Sequence, residues 1–410
     1  MTNTSRLALV VLPSLLSFAC AGTDSATTGT WQATQDTIGD TVVVRTSEGA
    51  VWDTPMTLVD DLVIGELEGA PEYTFGLITG IAPDDSGGVF LFDNQAKALR
   101  YYDATGRYVR TIGGSGAGPG EYEEVLGIRL RGDGRLVLRD PDNARVVIYE
   151  RDGTPIAHIP VASGLYTSNS LIVDSANHMY LAVLTGEIER NRPWPIGFEH
   201  RDPDGEIVDT LHAPAVANEP DGGGWTFSTR KEWMLAPDRT VVVGVTDRYS
   251  IELRRPDGRV LRIERDVEPV AVLAEERAEL EATNDWIRQR QAQHLTSDIP
   301  PVPDTKPLWK DLLLSDRGEL WVQRHVTAEK AADADTTEQS ADQPPAPTWR
   351  EPGVFDVFDR EGRYLGEVRA PRRTSVIALR GDYVWGFRFG EFDEPYVVRM
   401  RLEPATDAAE

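Results

Sequence analysis

The chain holds a single cysteine in 410 residues, Cys20, so it has no disulfide framework; with that thiol processed, no thiolate zinc site can form. Histidine is scarce as well. The six stand at His158, His178, His200, His212, His294 and His325, none forms a metal-binding pair at helical or hairpin spacing, and no His-Glu-x-x-His occurs. There is no Gly-x-Ser-x-Gly elbow to present a nucleophile and no Gly-Lys-Ser/Thr to hold a nucleotide phosphate. Positive charge is in short supply. The 42 Lys and Arg face 67 Asp and Glu, a net charge of −25. Such a surface repels a phosphate backbone and offers no polybasic membrane patch, which argues against a nucleic-acid partner. It suits solubility, in a salty habitat for instance, or a basic ligand or cation.

What is abundant is the material of sheets. Residues of hydrophobic type make up 40% of the chain, and 36 Gly and 27 Pro punctuate it into short segments. The length alone does not divide it, since closed all-β folds run long as one unit.

The N-terminus carries a local signal. Residues 1–6 are polar with one positive charge, and 7–16 form an apolar run broken at Pro13 and Ser14. That run has the length of a signal-peptide h-region and is too short to span a bilayer. Ser17-Phe18-Ala19-Cys20 follows and resembles a bacterial lipobox, in which the cysteine is diacylated and becomes the new N-terminus; Ser17 stands where leucine is usual. Ala19-Cys20-Ala21 also reads as an ordinary signal-peptidase site, which would give a secreted soluble protein. The position of the only thiol at the end of the apolar run favours lipidation at Cys20, an anchor of more than one acyl chain. The expectation is a signal peptide over 1–20, a flexible Thr/Ser/Gly/Ala-rich tether over 21–38, a folded part over 39–404 and a tail over 405–410.

Within the folded part a unit repeats: strand, Asp/Gly turn, strand, gap, strand, Asp-Gly turn, strand. Copies begin near Leu77, Leu126, Ser170, Glu232 and Asp311, and the turns of the first four recur roughly every 50 residues, the period of four-stranded propeller blades. Asp and Gly are favoured in these turns because such hairpins need positive φ. A last copy, 375–402, supplies only three strands, and an orphan strand at 40–46 is available near the other end. The fold class predicted is therefore all-β: a six-bladed β-propeller with an N-terminal strand closing the last blade, so that no sheet edge is left open. Two insertions interrupt it. Residues 268–294 place Leu273, Leu280 and Ile287 on one face, with Val270 and Trp286 close by, as in an amphipathic helix packed on a propeller face. Residues 329–350 are polar and aperiodic, as in a disordered loop.

The run Gly106-Arg107-Tyr108-Val109-Arg110-Thr111-Ile112-Gly113-Gly114 and then Gly116-Ala117-Gly118-Pro119-Gly120-Glu121-Tyr122 resembles the blade junction of NHL-type propellers. With Lys306-Pro307-Leu308-Trp309 and Gly318-Glu319-Leu320-Trp321-Val322, the chain is similar to bacterial six-bladed β-propeller lipoproteins of the NHL-repeat-like or TolB-like kind. The resemblance implies an envelope location, in the outer membrane or periplasm, and a binding or scaffolding role with no agreed ligand.

No catalytic set is recognisable. The glycine run opens no helix and carries Glu121, so it reads as a blade connection rather than an anion cradle. A cofactor is not expected; an oxygen-ligated calcium site would draw on Asp174, Asn177 and Glu232, residues that more often serve as turn or surface residues. His325 follows an inner strand and reads as a satisfied structural histidine. Two functions remain in competition. One is a monomeric, lipid-anchored binding module for an envelope protein, peptide or glycan. The other is a metal-dependent lactonase-, esterase- or lyase-like propeller.

Overall fold

The structure is a computed structural model and describes residues 30–161, 171–221, 224–291, 295–331, 344–345 and 347–405. The signal peptide, Cys20 and the start of the tether lie outside the described residues, as do His294, most of the 329–350 loop and the last five residues.

Six four-stranded antiparallel blades follow in chain order. Blade 1 is Ile78–Pro83, Val89–Asp93, Ala98–Tyr102 and Tyr108–Ile112; blade 2 is Gly127–Leu130, Leu136–Asp140, Arg145–Tyr149 and Pro155–Pro160. Blade 3 is Leu171–Val173, Met179–Leu184, Ile196–Arg201 and Ile207–Leu211; blade 4 is Lys231–Leu235, Val241–Val245, Ser250–Arg254 and Val260–Arg265. Blade 5 is Trp309–Leu314, Leu320–Arg324, Val354–Phe358 and Tyr364–Arg369. Blade 6 takes Thr374–Arg380, Tyr383–Phe389 and Pro395–Pro404 from the C-terminus and Met56–Ile64 from the N-terminus. The first strand of each blade is innermost, and Ile78–Pro83 lies against both Gly127–Leu130 and Thr374–Arg380, which closes the ring.

The core is six seams rather than one mass. Phe90, Phe92 and Leu99 of blade 1 pack on Leu136, Leu138 and Tyr149 of blade 2, and the same kind of seam recurs at each following pair of blades. The last seam brings Ile64, Trp385 and Val397 of blade 6 onto Ile78, Val89 and Leu91 of blade 1. Sheets stacked this way bury both faces of their central strands, which is why Val89–Asp93 and Arg145–Tyr149 are buried throughout.

Three expectations are corrected. The closing strand is Met56–Ile64, not 40–46. Thr41–Glu48 instead runs parallel to Val260–Arg265 on the outer edge of blade 4, with Val44 packed among Ile251, Ile263 and Tyr364. The tether is shorter than 21–38, because Gln32–Ile38 pairs with Thr41–Glu48 as a hairpin through Gly39 at φ +61°, making blade 4 six-stranded. The ends of the polar loop are ordered too, with Glu329–Lys330 paired to Trp349–Arg350. In the other insertion the expected helix is present but begins later, as α1, Ala274–Gln291, so that Val270 and Leu273 precede it. Glu275 and Glu276 in its first turn and Arg288 and Arg290 in its last favour the helix dipole.

Candidate functional site

Antiparallel blades put the first-to-second and third-to-fourth strand turns on one face of the disc, and all other connections on the opposite face. The turn face is uniform. Ten hairpins close with the same two backbone hydrogen bonds, from Asp84 N–H to Gly88 O and Gly87 N–H to Asp84 O in the first. The fourth turn residue alone takes positive φ: Gly87, Gly106, Gly134, Gly153, Asn177, Gly205, Arg239, Gly258, Gly318 and Gly362. This is a type I turn followed by a left-handed residue. In most of them an Asp ties the turn, as Asp103 Oδ1 does by accepting from Thr105 and Arg107 N–H.

The calcium candidates are separated by this geometry. Asp174 and Asn177 sit together in a turn-face hairpin and are spent there. Asp174 Oδ1 accepts from Ala176 and His178 N–H, its Oδ2 from the Tyr180 hydroxyl, and Asn177 Oδ1 from Gly132 N–H. Glu232 lies on the inner strand of blade 4 near the other face. The glycine run is a connection, as expected: Gly118 N–H donates to Glu121 at 2.7 Å, while Asn143 and Arg145 donate to the carbonyls of Gly116 and Ala117.

Two histidines do meet. Strand register places Tyr180 opposite His200, and His178 Nδ1 comes within 2.6 Å of His200 Nε2; His200 Nδ1 lies 2.9 Å from Asp209 Oδ1. Their separation of 22 residues gives no signal, because the long connection of blade 3 sets the register. Among the described residues no group of three or more His, Cys, Asp or Glu is placed to hold a metal.

The loop face carries α1 as a cap, fastened by a buried charge. Lys306, wholly buried, lies 2.8 Å from both Glu276 of α1 and Glu351, donates to the Val326 carbonyl and faces the Phe227 ring. Glu351 also binds Lys310 at 2.6 Å and His325 Nδ1 at 3.0 Å. Burial alone would raise the Glu351 carboxyl; the His325 hydrogen bond, the charges of Lys310 and His325 and the Lys306 hydrogen bond overcome it and hold the group down at about 2. His325 is thus only half satisfied, since its buried Nε2 has no partner among the described residues. The cap reaches across the face. Glu279 accepts from Thr348, and past the helix Ser297 accepts from Trp225 while Asp298 pairs with Arg190 and Asn191 of blade 3.

Between blades 3 and 4 this face opens into a cleft of about 790 Å³. Its apolar wall is Phe198 against Trp233, ring centroids 5.2 Å apart, with Trp194 on the rim, 45% exposed. Glu187, Glu189, Glu219 and Glu232 line it together with Arg192 and Lys231. Burial pushes the Glu232 carboxyl above its ordinary value against the pull of Arg230, and Asp311, itself raised by burial, adds to the rise. Six of the exposed apolar side chains stand on the same face, Leu67, Leu77, Leu184, Ile188, Phe389 and Phe392, while others, Ile38, Ile207 and Val208 among them, lie at the turn-face ends of outer strands.

These features define a six-bladed β-propeller whose two faces are built from different connections. Residues 66–212 match the model of a family described as 6-bladed beta-propeller, DUF5128, in line with the resemblance read from the sequence. Among solved structures, a member of the DUF4221 family from Bacteroides vulgatus superposes with a TM-score of 0.50 at 12% identity, covering 86% of this chain and 99% of that one. A protein of Bacteroides fragilis reaches 0.48 at 11% identity (88% and 99% covered), and virginiamycin B lyase of Staphylococcus aureus 0.39 at 12% (85% and 100% covered). At such identities the likeness concerns fold alone. No curated protein matches the chain.

Proposed function

We propose that the protein is an exported, lipid-anchored binding module of the cell envelope that engages a protein, peptide or glycan through its loop face. The observation that carries this reading is the asymmetry of the disc: the cleft and the helical cap share one face. Binding sites are commonly carried on loops held by a rigid scaffold. Among the described residues no helix is long and apolar enough to cross a membrane. Gln32–Ile38 runs antiparallel to Thr41–Glu48, which is parallel to the outermost strand of blade 4, so the chain enters the fold at the loop-face end. From Cys20 to that point an extended chain reaches at most roughly 40 Å, which would hold the loop face near the lipid.

Two experiments test this. A palmitate analogue is expected to label the wild-type protein and not Cys20→Ser; equal label on both refutes the anchor. A photoreactive amino acid in place of Ile188 is expected to capture an envelope component in intact cells, whereas one in place of Glu361 on the turn face is not. Equal capture from both faces, or none from either, sinks the reading.

A further inference from the structure

The walls of the cleft specify what it can hold. Both of its cations are already engaged: Lys231 Nζ lies 2.6 Å from Glu219 and donates to the Pro214 carbonyl, and Arg192 pairs with Asp221. Glu187 and Glu189 have no ion-pair partner among the described residues, and Glu232 shares only Arg230. An anion entering here meets uncompensated carboxylates, whereas a cation meets charge it can neutralise. The aromatic surfaces of Trp194, Trp233 and Phe198 add walls on which an aliphatic stem can lie and ring faces that attract its charged head. A bare metal ion would use none of this apolar wall, and about 790 Å³ is room for several residues rather than one side chain.

We infer that the cleft between blades 3 and 4 binds an arginine or lysine side chain presented by a peptide, its stem on the Trp194 and Trp233 rings and its head at Glu187 and Glu189. This deepens the loop-face reading and rests on it. The charged head fixes the class of ligand, and the rim tryptophan fixes its orientation.

The test is calorimetric titration of the purified protein with acetyl-Gly-Arg-Gly-amide, its citrulline counterpart, acetyl-Gly-Glu-Gly-amide and the neutral glycan maltotriose. The arginine peptide is expected to saturate, with the citrulline peptide about ten-fold weaker and the glutamate peptide inert. The double variant Glu187→Gln/Glu189→Gln and the single variant Trp194→Ala, all on an exposed connection, are expected to weaken it about five-fold each at unchanged melting temperature. Equal affinity for the arginine and citrulline peptides overturns the inference, as does an arginine peptide that never saturates. Maltotriose saturating where the arginine peptide does not would also remove the cation from this cleft, while leaving the loop-face reading standing.

Discussion

The two faces of the disc are built from different kinds of information. On the turn face one five-residue hairpin is repeated ten times with the same hydrogen bonds, and each copy is specified by residues adjacent in sequence. On the loop face the connections run from the short 94–97 segment to the long capped insertion before blade 5, and they are held by pairs far apart in the chain. Arg190 meets Asp298, Glu279 meets Thr348, and Lys306 joins Glu276 to Glu351. A repeat supplies the scaffold, and the long insertions on the loop face depart from it.

The largest test of that contrast is the cap's fastening. Lys306→Met leaves the Glu276 and Glu351 carboxylates facing each other without their shared cation. Removing one partner of such a buried pair costs about 3–5 kcal/mol. Guanidinium unfolding monitored by near-ultraviolet dichroism is the measurement. A loss below about 1 kcal/mol, the value of a surface pair, would mean that the cap is held by other contacts.

The turn face offers a smaller and internally controlled test. Gly205 and Gly258 occupy the same turn position, at φ +93° and +85°. A Cβ at Gly205 would fall 2.6 Å from Ile159 Cδ1 and 2.9 Å from its Cγ1, whereas one at Gly258 meets nothing within 4 Å. Gly258→Ala is expected to cost about 1 kcal/mol from the left-handed backbone alone. Gly205→Ala should cost about 1 kcal/mol more, because Ile159 must shift within the seam between blades 2 and 3. Equal losses at the two positions would show that these turns are not pressed against their neighbours.

The same division decides what the sequence reveals. The turns, the blade strands and the helix of the insertion are legible because each announces itself within a few residues. The closing strand is not. Thr41–Glu48, with its run of valines, has the better strand pattern, while Met56–Ile64 carries Asp60 and Asp61 at its centre. A bulge between Asp60 and Leu62 absorbs the interruption. Arg388 neutralises Asp60 at 2.6 Å, and Arg399 and Arg401 take Asp61 at 2.5 and 2.9 Å. All three arginines come from the other end of the chain. The cleft and the Lys306 cluster are illegible for the same reason. Glu232 is named by the sequence but grouped with Asp174 and Asn177, which lie in a turn on the opposite face.

Acid separates the faces a second time. Glu351 on the loop face and Asp103 on the turn face are both held at about 2, Asp103 by hydrogen bonds from Thr105 and Arg107. A depressed carboxylate contributes stability above its unfolded value, near 4, and loses it as pH falls through the folded value. Both contributions therefore fade between about pH 4.5 and 2, but they differ in size. The Glu351 side chain is 9% exposed and its shift is worth on the order of 3 kcal/mol, whereas Asp103 is partly exposed and screened by solvent. Amide exchange at pH 3 is expected to open Trp349–Glu351 while leaving Ala98–Tyr102 protected. Simultaneous loss would show that the cap and the blades unfold as one unit.

Chelation is expected to do least. A calcium ion at Asp174 and Asn177 would compete with the hydrogen bonds that close a hairpin, since Asp174 already accepts from Ala176, His178 and Tyr180. Such bonds are costly to leave unmade. Glu232 and Asp311, both raised by burial, are the carboxylates a cation would relieve, but Arg230 already serves Glu232. EDTA should therefore move the melting temperature by less than about 1 °C, well below the few degrees expected per kcal/mol of lost stability. A fall of several degrees with a stoichiometric divalent ion would reverse the order of the two functional readings and bring the metal-dependent lactonase or lyase forward. It would also turn attention to Glu232 and Asp311, the carboxylates that burial raises.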